Sequence, residues 1–557
     1  MHSSFVILTV YYFLSIVCTF GYGLFVKRFF INENIKINYG FIGLIGIFFL
    51  TIYSYISHFF LEHSLTHNTV LFFLGIFFFI IYVRSNFNKS EIKLFFIIFC
   101  VLLIAFYNFK THDDFPYYHF PYTNFLTKSD LIVGIGNYDH GWRTPSSIFY
   151  FNSLFYLPFI KHFLFHIGAI LIMGFSLLSL SIDAYNKFVL KKIDFIFYFN
   201  ILAIVFILVF FYRISEHGTD RSAQILSFLL ISEILFFLKK QKNFIEFSTM
   251  FLILSSLIVS LKSFYFIYLI FIIPIIYFMY KEKKIGQISN LLKNNFFYLS
   301  TVLVILILCV NMFNTGCLIY PLKYSCFENF SWSIPHHEID KMALHYENWS
   351  KAGSGVGFVV DNPENYVSKF NWVSGWIEKY FFNKVSDFIL SLILISLIFI
   401  SLLGSLKKGI KTKFNFKLVY LCLFILFFEW FYNHPSLRYG GYSLIGIIFF
   451  LFTCEFLPDC TVNKKFSLRI STLIVLTILI FYYRNFDRLQ NEHQKYNYSP
   501  FFNAYYFIDD HHFRVQKDFE KIINFYKNCT KKKIKCENNS GLIAYENYGK
   551  FVFVRKK

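Results

Sequence analysis

Long apolar segments recur along nearly the whole chain, and they limit the possible folds more than any other feature of the sequence. Runs of about 18 or more apolar residues are long enough to cross roughly 30 Å of hydrocarbon as a helix. The 557 residues are 56% hydrophobic and 15% charged, with 81 Phe and 40 Tyr, which is more apolar surface than a soluble core would bury. The sequence therefore predicts an all-α polytopic membrane protein with about fourteen transmembrane helices.

The first apolar segment, from Met1 to Phe25, is predicted to remain as a permanent helix. It begins without the basic region that opens a secretory signal peptide, and it continues into Lys27 and Arg28. Residues 1–92 are predicted to form an N-terminal block of three helices. Residues 93–483 form the main membrane core, and residues 484–557 form a small appended tail domain.

The formal net charge of +20 is distributed in a way that indicates topology rather than nucleic-acid binding. Every second connector is basic: Lys27, Arg28 and Lys36; Arg84, Lys89 and Lys93; Lys187, Lys191 and Lys192; residues 239–242, 281–284 and 407–413; and Lys464 with Lys465. Because Lys and Arg accumulate on the cytoplasmic side, the other connectors should be extracytoplasmic. These are residues 110–147, 213–221, 314–384 and 433–438, and the tail after residue 483. We expect a multi-pass protein of the bacterial inner membrane with a periplasmic active face and no nucleic-acid partner.

Two local predictions depend on this alternation. The segment SSIFYFNSLFYLPFIKH (146–162) is apolar but interrupted, and the charge pattern leaves no room for it to cross, so it is predicted to lie along the membrane surface as an amphipathic helix. Residues 246–280 are predicted to form two helices joined by the short outer turn LKSF. The alternative is one long tilted helix, which would reverse the orientation of everything that follows.

Two cysteine pairs fall on predicted outer segments, Cys317 with Cys326 in the long loop and Cys529 with Cys536 in the tail. Both pairs are predicted to form disulfides, because the periplasm is oxidising. The alternative is four unrelated thiols, since connectivity cannot be read from a sequence.

The loop THDDFPYYHFPYTNFLTKSDLIVGIGNYDHGWRTPSS (111–147) is the best candidate for a reaction centre. It carries the adjacent carboxylates Asp113 and Asp114 at a membrane edge. A carboxylate there can act as general base toward a substrate hydroxyl, and a second close negative charge raises its basicity or orients it. The alternative is structural: an Asp can cap the helix that begins near Phe115, with Pro116 in its first turn.

Further polar residues on the outer segments are candidates for binding substrate, and the arginines among them, with His119, His140 and His434, for holding a leaving phosphate. The candidates are His119, His140, Arg143, His217, Asp220, Arg221, His434 and Arg438. Several also have a structural explanation: His119 and His140 as interfacial residues, Asp220 and Arg221 as a surface ion pair, and Arg438 as a snorkelling side chain. The sequence requires no cofactor. Asp113, Asp114 and Asp220 could together hold a divalent cation, but no ligand spacing demands one.

The motif HDDFPYYHFPYTNFL (112–126), followed by GIGN and an aromatic segment, resembles polytopic bacterial GT-C glycosyltransferases, including the dolichyl-phosphate-mannose-protein mannosyltransferase-like group. ISEHGTDR (214–221) and HPSLRYGGY (434–442) are similar to additional outer-face motifs of the same enzymes. The resemblance covers about residues 93–457. In this chain the acidic loop follows the fourth predicted helix, whereas the family generally has it after the first, and the N-terminal block accounts for the difference.

The resemblance implies a GT-C-like fold and an inverting hexosyltransferase that uses a polyprenyl-phosphate-linked sugar. Asp113 or Asp114 would be the general base, and basic residues of the other two motifs would hold the donor phosphate. The acceptor would be a hydroxyl of a glycan, a lipid or a protein.

Two other functions compete with this interpretation. An O-antigen-type polysaccharide polymerase or ligase would depend on the long outer loop, through His336, His337, Lys323 and Lys341. A transporter or flippase without chemistry would place ionisable residues near the membrane midplane, where Glu233 and Glu429 are the main candidates.

Overall fold

The computed structural model describes most of the chain as helices. It covers residues 3–33, 35–84, 87–108, 114–213, 218–355, 357–404 and 416–505, and in the tail residues 518, 520–521, 523–524, 528, 536–537, 542–547 and 550–555. The helices are α1 Ser3–Phe30, α2 Tyr39–His58, α3 Leu65–Tyr82, α4 Lys89–Tyr107, α5 Phe120–Leu126, α6 Ser147–Ser153, α7 Ile167–Val189, α8 Phe195–Phe210, α9 Thr219–Leu238, α10 Phe244–Leu261, α11 Ile272–Lys281, α12 Asn295–Thr315, α13 His336–Lys351, α14 Pro363–Val367, α15 Val373–Trp376, α16 Ser386–Leu403, α17 Lys417–Asn433, α18 Tyr442–Phe456 and α19 Lys464–Tyr496.

The prediction of a polytopic helical membrane protein is confirmed. Within the described ranges, twelve helices are long and apolar enough to cross a membrane, and α8 is a shorter apolar helix. The peripheral helices α16 and α17 expose Leu394, Leu397, Phe424 and Phe428, each by more than 45%. Exposed apolar side chains of this size on membrane-length helices are typical of contact with lipid.

The connectors fall into the two groups that the charge pattern predicts. The first group is called the basic face. There Asn38 Nδ2 donates to Asp183 Oδ1 (3.3 Å), and Lys240 Nζ pairs with Glu282 Oε2 (2.5 Å). The backbone N–H of Ile193 donates to the carbonyl of Cys460 on the same face (3.0 Å).

The other group, the Asp114 face, contains the connectors around residues 59–64, 114–166, 262–263, 316–372 and 434–441. The backbone N–H of Leu131 donates to the carbonyl of His58 (3.1 Å), and Ser350 contacts His434. The tail belongs to this face as well, because Lys550 forms an ion pair with Asp130.

The described strands of the tail form a small sheet attached to the acidic loop. Strands β1 (Cys536–Glu537), β2 (Leu542–Asn547) and β3 (Lys550–Arg555) pair antiparallel in the order β1-β2-β3. Strand β3 also pairs with the loop: the N–H of Phe553 donates to the carbonyl of Val133 (2.7 Å), and the N–H of Val133 donates to that of Phe551 (2.9 Å).

Residues 244–281 cross twice, as two helices rather than one. Lys262 lies between them on the Asp114 face, whereas Lys240 and Glu282, which flank the pair, meet on the basic face. The return path begins as a 3₁₀ helix, Ser263–Phe271, and continues as α11. The alternative of a single long tilted helix is therefore wrong.

Helices α7 and α9 form the centre of the bundle, where α7 packs against α2, α4, α8 and α9. Most of their side chains are fully buried. The first helices are tightly joined as well, because a Cβ on Gly21 of α1 would lie 2.0 Å from the carbonyl oxygen of Gly75 in α3. This close crossing requires a residue without a side chain.

The prediction of an amphipathic surface helix at residues 146–162 is wrong. The helix α6 is buried on every side: Ile148, Phe149, Tyr150 and Phe151 are each at most 1% exposed. Its ends are bonded into the bundle, since Ser146 Oγ donates to the carbonyl of Leu261 (2.8 Å). The polar side chains Ser147, Asn152 and Ser153 are bonded inside the protein as well, so the helix turns no polar face toward water.

The last membrane helix is longer than predicted, because α19 continues to Tyr496, past the predicted end at residue 483. Asn485, Arg488 and Glu492 follow at spacings of three and four and are at most 7% exposed. This spacing keeps one face of the helix against the protein. The predicted tail boundary at residue 484 therefore falls inside a helix.

Candidate functional site

The carboxylate of Asp114 is bonded to side chains from distant parts of the chain. One oxygen, Oδ2, accepts from Arg438 Nη2 at 2.5 Å and from the Tyr118 hydroxyl at 3.2 Å. Asp114 precedes the π-helical segment Phe115–His119, but its side chain makes no capping hydrogen bond to that segment. The capping interpretation therefore does not apply to Asp114. Its neighbour Asp113 lies outside the described residues.

Arg438 bridges two acidic residues from its position between α17 and α18. Its Nε donates to Asp220 Oδ2 at 2.7 Å, while Nη2 reaches Asp114. The backbone around it is held by Gln224, whose Nε2 donates to the Arg438 carbonyl at 3.0 Å. Gly440 then turns the chain into α18 at a φ of +92°, in the left-handed region that favours glycine.

Lys262 completes the site from the turn after α10. Its ammonium bonds the second oxygen of Asp220, and it lies 4.2 Å from the centre of the Tyr439 ring, within the range of a cation–π contact. Burial lowers the pKa of Lys262 below its ordinary value, and the negative charge of Asp220 opposes that change.

These four residues, Asp114, Asp220, Lys262 and Arg438, are called the ion cluster below. They supply two negative and two positive charges at the Asp114 face of the bundle. The side chains of Asp114 and Arg438 are 26% and 33% exposed, whereas that of Asp220 is 7% exposed. Asp114 and Arg438 can therefore contact a ligand, while Asp220 holds the two cations in place.

Tyr118 remains a proton donor to the ion cluster. Burial, together with the nearby charge of Asp114, raises the pKa of its phenol well above the ordinary value. The hydroxyl of Tyr265 lies beside Gly440, next to the ion cluster, and has no hydrogen-bond partner among the described residues.

His434 adjoins the ion cluster as a neutral ring. Its Nδ1 is 3.4 Å from Ser350 Oγ, and its ring packs edge-to-face against Tyr439 with centroids 5.9 Å apart. Burial lowers the pKa of His434 to about 4, and the charges of Lys262 and Lys351 act in the same direction. His434 therefore offers a hydrogen-bonding group rather than a positive charge near pH 7.

Arg143 was expected to bind substrate, but its guanidinium is committed to the protein. It donates to the Gly136 carbonyl (3.2 Å), to the Tyr320 hydroxyl (2.6 Å) and to Glu338 (3.1 Å). At 6% exposure it joins the acidic loop to the long loop and has little access to solvent.

The other expected binding residues make other contacts. His119 is buried against the rings of Tyr118 and Phe149. His140 is exposed beside Asp139 (3.6 Å), and a guanidinium nitrogen of Arg221 donates to the carbonyl of Arg213. His217 lies outside the described residues.

The structure joins Cys317 and Cys326 in a disulfide within the long loop. It also pairs the backbone of the two residues, since they form an isolated antiparallel bridge. Cys529 and the side chain of Cys536 lie outside the described residues. In the described part of the chain, no group of three or more His, Cys, Asp and Glu residues is arranged to hold a metal ion.

Several residues that the two competing functions would depend on form ion pairs or hydrogen bonds with nearby residues of the protein. In the long loop, Lys323 pairs with Asp340 (2.6 Å) and His336 with Glu328 (3.0 Å). Near the basic face, Glu233 pairs with Lys242 at 2.6 Å. Glu429 accepts from Asn433 on its own helix (3.1 Å). His337 and Lys341 lie on α13, and Lys341 is exposed.

Sequence reasoning missed Lys262, Tyr118 and Tyr439 as members of the site. A signal for Lys262 was present, since it is the single cation of a turn predicted to be extracytoplasmic. Tyr118 and Tyr439 gave no such signal in a chain with 40 Tyr, because the interface of any membrane protein is rich in tyrosine.

Comparison with known proteins gives a family and no activity. No curated protein and no solved structure matches the chain. One family model matches residues 5–445, which include all four members of the ion cluster. The chain therefore belongs to the family described as Domain of unknown function (DUF8201).

Proposed function

We propose that the protein is a membrane glycosyltransferase that moves a sugar from a polyprenyl-phosphate donor to an acceptor hydroxyl. The observation that carries the proposal is the contact of Arg438 with both Asp114 and Asp220, because these come from three separate outer segments. Buried and half-buried charges of opposite sign at the end of a membrane bundle are expensive to assemble and are commonly functional.

The donor phosphate would bind at Arg438 and Lys262. A guanidinium binds phosphate oxygens through two parallel N–H groups, and Arg438 is the more accessible of the two cations. A phosphate there would replace one carboxylate as the partner of Arg438, while the polyprenyl chain stays in lipid. The lipid bilayer is thus part of the donor site. A GT-C-like fold is proposed together with this activity.

The chemical step would be a single displacement. The acceptor oxygen attacks the anomeric carbon, the bond from that carbon to the phosphate oxygen breaks, and the polyprenyl phosphate leaves with the bonding electrons. Asp113 or Asp114 takes the proton of the acceptor hydroxyl. The configuration at the anomeric carbon is inverted. We place the reaction at the periplasmic face of a bacterial inner membrane, because the connectors of the opposite face are basic.

Transfer of label from undecaprenyl phosphoryl [14C]hexoses tests the proposal. Membranes that contain the protein are incubated with these donors, and label is counted in lipid, glycan and protein fractions. The double variant D113A/D114A should lower transfer by about 10²–10⁴-fold, because it removes both candidate bases. Arg438→Lys should lower it by about 10²-fold or more, because lysine keeps the charge but cannot bridge the two acids.

Asp340→Asn is the matched control, since it removes an exposed carboxylate from the same face without touching the ion cluster. It should transfer at the wild-type rate. Wild-type rates in D113A/D114A, at equal amounts of protein in the membrane, would refute the role of the aspartates. If the wild-type protein moved no label from any of these donors to any fraction, the proposed function itself would be refuted.

A further inference from the structure

Four tryptophans lie in the long loop, and three of them serve as structural anchors. Trp372 and Trp376 are buried and donate to the carbonyls of Lys369 (3.2 Å) and Pro435 (2.8 Å). The ring of Trp332 stacks on Phe330 at 4.6 Å, and its Nε1 donates to the Met312 carbonyl at 3.1 Å. Trp349 is half-buried like Trp332, but it differs because its ring lies 5.5 Å from that of Tyr439, next to the ion cluster.

The backbone that carries Trp349 is held rigidly. Ser350 and Lys351, the next two residues of α13, are fully buried. The Lys351 ammonium donates to Glu347 at 2.5 Å and lies 5.2 Å from the ring centres of Trp372 and Tyr432. A side chain on so fixed a support is preorganised, which is what a binding surface requires.

Tyr439 connects Trp349 to the charged residues. It follows Arg438 in the chain, and its ring covers the ammonium of Lys262 at 4.2 Å. His434 stands at the edge of the same ring, 5.9 Å away, with its Nδ1 next to Ser350 Oγ. Trp349, Tyr439 and His434 thus form one continuous surface, the aromatic wall, that begins at the two cations.

The chemistry of the aromatic wall fits a neutral hydroxylated ring. Aromatic faces pack against the C–H groups of a sugar, and a neutral imidazole both donates and accepts hydrogen bonds with hydroxyls. Ligand sites of this kind combine apolar and aromatic lining with a few placed polar groups. If Trp349 only anchored the loop in lipid, it would not need to pack against Tyr439. His434 would likewise not need to lie beside two lysines.

We infer that the aromatic wall binds the sugar ring of the donor, next to the cations that hold its phosphate. This inference rests on the proposed function, and it assigns the recognition of the sugar to the long loop, through Trp349, rather than to the acidic loop. His434 then acts by hydrogen bonding to a sugar hydroxyl and does not contribute charge.

Binding of two lipids to the full-length protein in nanodiscs tests the inference. One is farnesyl phosphate and the other is farnesyl phosphoryl hexose, taken in turn with glucose, mannose and galactose. The wild-type protein should bind one or more of the hexose forms more tightly than farnesyl phosphate. Trp349→Ala should reduce that preference by about three- to tenfold and leave the binding of farnesyl phosphate unchanged. Trp349→Phe should keep most of the preference, because it retains an aromatic face.

Trp332→Ala is the matched control, since it truncates a half-buried tryptophan of the same loop whose ring stacks on Phe330. It should keep the wild-type preference. An unchanged preference in Trp349→Ala, with farnesyl phosphate still bound, would overturn the inference and leave the proposed function standing. Failure of the wild-type protein to bind either lipid would overturn both.

Discussion

His434 lies beside two lysines, and its pKa differs from that of an exposed histidine. In an unfolded chain the pKa of a histidine is about 6.5. In the folded protein burial lowers the pKa of His434 to about 4, and Lys262 and Lys351 add to the effect. Between these two values the unfolded chain binds a proton that the folded protein does not. Stability should therefore be complete above pH 6.5 and decline as the pH falls toward 4.

This behaviour predicts how sugar binding responds to pH. Affinity for farnesyl phosphoryl hexose should stay constant from pH 7.5 to 5.0, since His434 remains neutral and the phosphodiester does not titrate there. Over the same range the Tm of the wild-type protein should fall on acidification, and His434→Gln should reduce part of that fall. The variant is compared with wild type because other buried histidines also contribute. Loss of binding with a midpoint near pH 6.5 would contradict a neutral His434.

At the scale of single residues, the sequence could single out three members of the ion cluster, but neither Lys262 nor the contacts among the four. Asp114, Asp220 and Arg438 stand out because charges are rare in an apolar chain. The sequence could not show that Arg143 bonds Tyr320 and Glu338, far along the chain, rather than a ligand. Such contacts depend on tertiary packing, which leaves no periodic pattern in the sequence.

At the scale of elements, three segments meet around Arg143. The acidic loop contributes Arg143, α13 contributes Glu338, and β3 contributes Arg555, which approaches the same carboxylate (3.5 Å). Glu338 thus joins the tail to the loop that leads to Asp114. Because Arg143 is nearly buried, removing one partner leaves the other without its hydrogen bonds in a poorly solvated place.

A double-mutant cycle at Arg143 and Glu338 tests this connection. Arg143→Ala should lower the Tm by about 2–6 °C, and the effect should be much smaller when Glu338 is already alanine, because the two side chains act as a pair. The KM for the donor should stay within about twofold of wild type. Arg221→Ala is the matched control, an arginine on the same face that bonds a backbone carbonyl. A tenfold rise in KM without a change in Tm would instead place Arg143 on the donor.

The positions of elements were predictable where the length of an apolar segment determines them. They were not predictable where tertiary packing determines them. The predicted membrane segments form helices because each must satisfy its own backbone in lipid. The helix α6 was misplaced because an apolar run of this length is compatible with either the membrane surface or the interior. The extension of α19 was missed because its buried face carries polar side chains such as Asn485 and Glu492.

At the scale of the whole molecule, the two faces differ in charge and in chemistry. The Asp114 face carries the ion cluster, the disulfide of the long loop and the sheet of the tail, while the basic face carries short connectors with lysine. Contacts between connectors in the described ranges place them on one face or the other without reference to charge. The described strands of the tail lie with the Asp114 face, through the ion pair of Lys550 with Asp130.

The orientation of the molecule is testable with one cysteine on each face. Val359→Cys lies in the long loop at a residue 76% exposed, and Lys283→Cys lies in an exposed turn of the basic face. Both are made in a chain whose free cysteines are replaced and whose Cys317–Cys326 disulfide is kept. In intact bacteria a membrane-impermeant maleimide should label position 359 and spare position 283, because basic connectors stay in the cytoplasm. After permeabilisation both should react. Labelling of position 283 in intact cells, with position 359 protected, would put the ion cluster on the cytoplasmic side and exclude a reaction at the periplasmic surface.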